Sequence, residues 1–293
     1  MRDRSTSMPL LFGFLAAFCW GTHSVIVRYL TGDMQGITIA TLRLYIAAAA
    51  LFVLMKLLRF PVSGRLTDRN LQIAVGSTVI NYICFHIGLE HTSASNAMML
   101  ENTAPFFVLL ILFLLAGETV RRRDIFATLV ALAGVFLTVI HDIDIGGEGL
   151  QGDMLEIAAG LSWAGFIIGS SRALRASAST AERVNFLLNV FICSAILLTP
   201  LMLIYPGSAT SNDIMLLVLL GLFPTALAYY LWYEAAARVS AVSAALLFIL
   251  SVIFTFINAV LFLGENLSAN ILIGAVLIVA GVIITSTGSA KSS

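Results

Sequence analysis

Apolar runs follow one another along this chain with only short polar breaks between them. About ten of them are near 20 residues long. A helix of that length, rising about 1.5 Å per residue, covers about 30 Å, the thickness of a bilayer's hydrocarbon core. The runs span approximately 9–30, 36–58, 70–90, 94–116, 123–141, 152–173, 183–205, 213–236, 240–263 and 267–287. They are apolar nearly all round, so periodicity does not separate helix from strand. Length does, together with the need to satisfy every backbone N–H and C=O within lipid, which a helix meets inside its own segment. The pattern predicts an all-α polytopic membrane protein with ten transmembrane helices.

The polar breaks add sidedness. Basic residues fall in every second gap: Lys56, Arg59, Arg65 and Arg69; Arg121, Arg122 and Arg123; Arg172, Arg175 and Arg183; and Arg238. The tails add Arg2, Arg4 and Lys291, which leaves only two of the 16 Lys and Arg elsewhere. Cytoplasmic loops are enriched in Lys and Arg, so both tails and these gaps are placed in the cytoplasm of a bacterial inner membrane. Arg2 and Arg4 before an apolar run from Pro9 imitate a signal peptide. The run continues to about Leu30, past the roughly 7–15 residues of a signal core, and no small-x-small site closes it, so it is read as an uncleaved first span.

Composition narrows the function. The chain has 293 residues, 59% of them hydrophobic and 11% charged. Its loops are too short to hold an ATPase, a receptor or a catalytic domain, so one membrane domain in contact with lipid is expected. No nucleic-acid partner and no obligate ATPase subunit are expected either. Cys19, Cys84 and Cys193 all lie within apolar runs and are assigned to packing. No P-loop, His-Glu-x-x-His or cysteine-rich metal spacing occurs, which argues against an enzyme and against a cofactor or metal. Gly169-Ser170-Ser171 has no partner constellation for proteolysis.

The two halves resemble each other. The acidic, glycine-rich gap 142–152 is the seam, dividing the chain into repeats 1–145 and 146–293. A shift of 147 residues aligns Leu115-Ala116-Gly117-Glu118 with Phe262-Leu263-Gly264-Glu265, and Ala133-Gly134-Val135 with Ala280-Gly281-Val282. The same shift aligns Ser93-Ala94 with Ser240-Ala241, Tyr82 with Tyr229 and Phe85 with Trp232; a slightly shorter one pairs Trp20 with Trp163. Five spans per half is an odd number, so the second half enters the membrane from the opposite face. That is the inverted repeat used by many secondary transporters, in which exchange of the two halves' shapes moves a central site from one face to the other.

These features resemble the drug/metabolite transporter superfamily, in particular its ten-helix EamA branch. The resemblance rests on the tandem five-span halves, the Gly-Glu pairs ending spans four and nine, the Ala-Gly-Val tracts of spans five and ten, and Asn102-x-x-Pro105 in span four. It covers nearly the whole chain. Length and aromatic placement are most similar to YddG-type amino-acid exporters. The second half departs from the pattern, with Val252 where Pro105 aligns. The resemblance implies two inverted five-helix repeats around a shared substrate site and no cofactor.

Polar residues deep in the spans are the candidate site, because a central charge is costly in lipid, by about 2.5–3.5 kcal/mol on insertion scales. His23, Arg43 and Glu101 each lie about 10 Å below the outer ends of spans one, two and four. Glu101 suits an ammonium, Arg43 a carboxylate and His23 a hydrogen bond or a proton. The alternative is an Arg43–Glu101 ion pair that neutralises itself and fixes packing. Arg28 is close enough to the interface to snorkel. Met98, Glu101, Asn102 and Pro105 fall at i, i+3, i+4 and i+7 on one face of span four, and Pro105 is expected to bend that helix.

Aromatic residues give a second signal. Trp20 and Trp163 lie nearer the middle of their spans than the interface that tryptophan favours. Tyr82 and His86 share a face of span three, and Tyr229 is the repeat equivalent of Tyr82. Tyr230, Trp232 and Tyr233 are expected to form an interfacial belt. Gly160 and Gly165 flank Trp163 and are expected to leave room beside it. Pro200 and Pro224 are hinges or static kinks. The substrate-binding set is therefore Trp20, His23, Tyr82, His86, Met98, Glu101, Asn102, Trp163 and Tyr229. Aromatic walls with a few polar groups suit a small molecule with an apolar body and polar ends. The expectation is an alternating-access exporter of small metabolites, chiefly amino acids, with a purine exporter or a channel-like facilitator as alternatives.

Overall fold

The computed structural model describes residues 4–30, 34–64, 66–92, 97, 100–114, 120–139, 149–176, 179–204, 210–263 and 269–286. These residues form helices and, among them, no strand. Span one is α1 (Arg4–Gly21) and α2 (His23–Leu30), span two is α3 (Gly36–Leu57) and span three is α4 (Arg69–His91). The second part of span four is α5 (Ala104–Leu114), span five is α6 (Arg122–Val139), span six is α7 (Leu150–Ala176) and span seven is α8 (Thr180–Ile204). Span eight joins α9 (Ser211–Leu220), a π-helical turn (Gly221–Leu227) and α10 (Ala228–Ala236). Spans nine and ten are α11 (Ala241–Leu263) and α12 (Ala269–Ser286).

Six helical stretches are long and apolar enough to cross a membrane, within spans two, three, six, seven, eight and nine. Shorter apolar helices cover Met8–Gly21, Ala104–Leu114 and Ala269–Thr285. Large apolar side chains such as Leu57, Phe113, Leu203, Leu261 and Val276 point away from the bundle. Water would penalise that surface; lipid does not. The Gly117-Glu118 and Gly264-Glu265 pairs, Ser93-Ala94, most of the 142–152 seam and Met98 lie outside the described residues.

The repeat seen in sequence is also a repeat in packing. Three pairs of equivalent spans pack against one another: two on seven, four on nine and five on ten. Each remaining major contact has its exchanged counterpart: three on six with eight on one, four on six with nine on one, and three on seven with eight on two. The crossing of spans five and ten shows the same relation atom by atom. A Cβ on Gly134 would lie 2.6 Å from the Gly274 carbonyl oxygen and 2.9 Å from Ile278. A Cβ on Gly281 would lie 2.7 Å from the Ala127 carbonyl oxygen and 2.8 Å from Ala131. Each residue in the second set is the 147-residue equivalent of its partner in the first. Glycine at both places lets the two backbones touch, and the reciprocity is that of a twofold axis. With five spans per half, the halves are inverted in the membrane.

Polar contacts gather the starts of the odd spans and the ends of the even ones on one side. Arg123 donates to the Ile284 carbonyl, and the Asp124 carboxylate accepts from Thr285 Oγ1 at 3.1 Å. Asn185 and Asn189 donate to the Ser63 carbonyl at 2.8 and 2.9 Å, holding the loop after span two against span seven. Glu234 accepts from Arg183 at 2.8 and 3.1 Å and from Arg238 at 2.8 Å. This is the basic side; the opposite end is the far side.

Candidate substrate site

The site is built around a break in span four. Asn102 and Thr103 form a turn, and the helix restarts at Ala104. Thr103 Oγ1 donates to the Leu100 carbonyl at 2.5 Å, and the Phe106 N–H donates to the Thr103 carbonyl at 2.9 Å. Pro105 is the second residue of α5, a first-turn position where a missing N–H loses no helix bond. The expected mid-helix bend is therefore a break with a proline-started helix beyond it, so the stripe from Glu101 to Pro105 is not one helical face. Gly160 accommodates the break: a Cβ there would lie 2.9 and 3.0 Å from the carbonyl oxygens of Leu100 and Glu101. Gly165 meets Ser77 Oγ in the same way, at 2.6 Å. Both glycines take close neighbours instead of leaving room beside Trp163, which corrects the sequence expectation.

Toward the far side lies a polar layer. Arg43, 7% exposed, donates through Nη1 to Nε2 of His23, which accepts there as the neutral imidazole. Its guanidinium carbon sits 4.6 Å from the centre of the Tyr82 ring, a cation–π contact. Among the described residues, no ion pair joins Arg43 to Glu101. Glu101 Oε1 instead accepts from Asn81 Nδ2 at 3.3 Å, and that amide also donates to the Ala159 carbonyl at 3.0 Å. The alternative reading, a self-neutralising Arg43–Glu101 pair, is thus not what the described residues form. Asn102 is buried in the turn. His86 is buried with Nδ1 on the Tyr82 carbonyl at 2.8 Å, its ring against Gly36, where a Cβ would lie 2.8 Å away. Glu101 and His23 keep partial exposure although both lie well within their spans.

Toward the basic side lies an aromatic layer. Trp20 meets Trp163, Tyr229 and Phe248 edge-on, with ring centres 6.3, 5.3 and 5.2 Å apart. Trp163 stacks on Phe166 at 4.6 Å, and Phe166 stacks on Trp232 at 5.7 Å. Trp232 and Tyr233 are 0% and 1% exposed, so they are core and not the expected interfacial belt; Tyr230 is half-buried. Their polar atoms explain how they are tolerated inside. Trp232 Nε1–H donates to the Ala244 carbonyl at 3.0 Å, and the Tyr233 hydroxyl pairs with Ser170 Oγ at 3.0 Å. Edge-on and stacked ring pairs add about 0.5–1.5 kcal/mol each beyond area burial, so this plug is cohesive. Pro200 sits inside the continuous α8, while Pro224 falls in the π-helical turn, next to Thr225, whose hydroxyl donates to the Leu220 carbonyl at 2.7 Å. That turn abuts span two at Arg43: a Cβ on Gly221 would lie 3.2 Å from the Arg43 carbonyl oxygen.

Where the layers meet, two buried donors lack a protein partner among the described residues, Arg43 Nε and Trp163 Nε1; nearer the far end, His86 Nε2 and both carboxylate oxygens of Glu156 are also unpartnered. Buried polar groups in a native fold are nearly all paired, so unpartnered donors here make this place a candidate site. Contacts link His23, Arg43, Tyr82 and His86 in the polar layer and Trp20, Trp163 and Tyr229 in the aromatic one, while Glu101 meets Asn81 and Asn102 is buried in the adjoining turn. Sequence reasoning passed over Asn81, Glu156, Phe166 and Phe248. Glu156 was findable, being a lone acid within an apolar run, the signal that singled out Glu101. Phe166 and Phe248 carried no signal, since phenylalanine is ordinary in any span.

The profile of the EamA-like transporter family matches residues 7–140 and again 150–287. The chain belongs to the EamA-like transporter family. This EamA-like chain is 24% identical over 292 residues to a Salmonella typhimurium (strain LT2) protein named "Probable amino-acid metabolite efflux pump", covering 94% of this chain and 95% of that one. An Escherichia coli (strain K12) protein of the same name is 24% identical, over 95% of this chain and 94% of its own. The "Uncharacterized transporter YwfM" of Bacillus subtilis (strain 168) is 25% identical over 96% of this chain and 94% of its own. One crystal structure superposes over 98% of the chain and 99% of its own length with a TM-score of 0.80 at 19% identity, a likeness of fold alone.

Proposed function

We propose that this transporter exports small metabolites, most of all amino acids, across the bacterial inner membrane by alternating access, with both termini in the cytoplasm. Repeats 1–145 and 146–293 are the two moving units, and the seam between polar and aromatic layers is where substrate sits. The observation that carries the reading is the set of unpartnered buried atoms at that seam. Arg43 Nε–H is a free donor suited to a substrate carboxylate, Trp163 Nε1–H offers a further donor, and Glu101 offers an acceptor for an ammonium. The rings of Trp20, Trp163 and Tyr229 supply a wall for an apolar side chain. Two relatives named for amino-acid metabolite efflux agree with that substrate class. With the basic side taken as cytoplasmic, the aromatic plug closes the cytoplasmic end of the bundle.

The test is transport by the purified protein in liposomes loaded with labelled amino acids. Wild type should move at least one amino acid well above empty liposomes, and Trp163→Ala should reduce that movement for bulky side chains more than for small ones. No movement of any amino acid by folded protein would overturn the reading.

A further inference from the structure

Glu156 has a different environment from every other acid described. It lies two turns into α7, has no exposed surface, and neither carboxylate oxygen meets a hydrogen-bond donor. Gly88 of α4 closes over it, since a Cβ there would fall 2.8 Å from Oε1. Two more carboxylates lie in its surroundings: Glu101 of span four and Asp153 one turn back on α7. Asp153 accepts from Thr92 Oγ1 at 2.5 Å and Glu101 accepts from Asn81 Nδ2 at 3.3 Å. Span three contributes the Cys84 thiol and His86, whose Nδ1 is bonded to the Tyr82 carbonyl and whose Nε2 has no partner among the described residues. The nearest cation of the polar layer, Arg43, is engaged with His23 and Tyr82. An ionised carboxylate here would lie in a dry interface beside like charges with no donor, a situation that costs several kcal/mol. The neutral acid removes that penalty.

We propose that Glu156 is a proton-binding site, occupied in the described conformation and emptied to water when spans three, four and six part during the cycle. The step is a plain acid dissociation: the carboxyl O–H bond breaks, its electron pair stays on the carboxylate, and the proton passes to water. Occupancy of the site stands on the geometry alone; its place in a cycle rests on the transporter reading above. The protein therefore couples substrate movement to a proton gradient through Glu156, with Glu101 free to bind substrate.

Two measurements separate these parts. Infrared spectra of the protein in lipid at neutral pH should show the carbonyl band of a protonated carboxylic acid. That band should vanish in Glu156→Gln and persist in Glu101→Gln. If the amide variant fails to fold, Glu156→Asp serves, because the band then shifts in frequency. A band unaltered by either Glu156 variant, or no band in wild type, would overturn the proposal. In liposomes with an imposed pH gradient and a labelled amino-acid mixture, wild type should accumulate label. Glu156→Gln should lose that accumulation while keeping exchange of internal for external label. Full gradient-driven accumulation by the variant would overturn the coupling. If wild type moves no amino acid at all, the substrate reading fails while the infrared result still decides the proton site.

Discussion

At the 147-residue shift Glu101 corresponds to Phe248 and His86 to Tyr233, and at the shorter shift of span one His23 corresponds to Phe166. The first of each pair stands in the far-side layer and the second in the basic-side layer. The backbone repeats, as the Gly134 and Gly281 contacts show, yet its central side chains were not kept alike. One set is ionisable and partly wet; the other is ring against ring. Tyr82 and Tyr229, and at the shorter shift Trp20 and Trp163, are pairs kept alike in both halves. The comparison separates two demands on such a fold. Alternation needs two halves that can exchange shape, and that demand falls on backbone crossings. Binding needs one chemistry at one place, and that falls on side chains the symmetry does not repeat. The asymmetry also makes the two closed states unequal, because the basic side shuts on a cohesive plug and the far side would shut on charges.

The largest expected effect comes from unlocking the basic side. Glu234 is 3% exposed and holds Arg183 of span seven and Arg238 beyond span eight, while Arg183 also donates to Thr180 at 3.0 Å. Its repeat equivalent on the far side is Ile87, which cannot form such a lock. Removing one partner of a buried pair leaves the other charge uncompensated, at about 3–5 kcal/mol. Glu234→Ala should lower the thermal unfolding midpoint in detergent by several degrees, and a cysteine placed at Ser170 should become more reactive toward a thiol reagent from the basic side. An unchanged midpoint and unchanged labelling would remove the lock from the account.

A middle-sized effect is expected at the far-side layer. Arg43 is the cation of the polar layer that meets the seam, and a charge-assisted hydrogen bond contributes about 1.5–3 kcal/mol. Arg43→Gln should therefore slow transport of a carboxylate-bearing substrate by roughly 10–100-fold, at 1.4 kcal/mol per factor of ten. An esterified analogue without the carboxylate should lose far less. Equal losses for both would assign Arg43 to packing through His23 and Tyr82 instead of to the substrate.

Much of this architecture was legible in sequence, and the reason is physical. A bilayer imposes span length and loop charge, so all ten runs appear as helix within a few residues of their expected limits, except that α5 is shorter and span four is broken. The break follows from Asn102, Thr103 and Pro105 together; the proline alone suggested a bend. Depth was also legible, which is why His23, Glu101, Trp20 and Trp163 fall in the two layers. Facing was not legible. Trp232 and Tyr233 look like an interfacial belt by position, and only the Ala244 carbonyl and the Ser170 hydroxyl, on other helices, make burial tolerable. Runs that are apolar on every face carry no record of which face meets a neighbour.

The smallest expected effect sharpens the comparison most, because it probes what the two halves share. Gly134 and Gly281 each let spans five and ten touch backbone to backbone. Gly134→Ala and Gly281→Ala each place a methyl within 2.6–2.7 Å of a carbonyl oxygen on the other span. Overpacking of this kind costs about 1–3 kcal/mol, offset in part by about 1 kcal/mol of better helix propensity. The net loss should thus be about 2 kcal/mol or less for each variant, and the two losses should agree to about 0.5 kcal/mol, since the contacts are exchanged copies of one another. Unfolding midpoints of the two single variants, measured side by side, check this. A large loss in one and none in the other would mean that the twofold relation stops at the sequence and that spans five and ten meet unsymmetrically. The asymmetry of the two layers would then belong to the whole scaffold, and not only to the side chains at its centre.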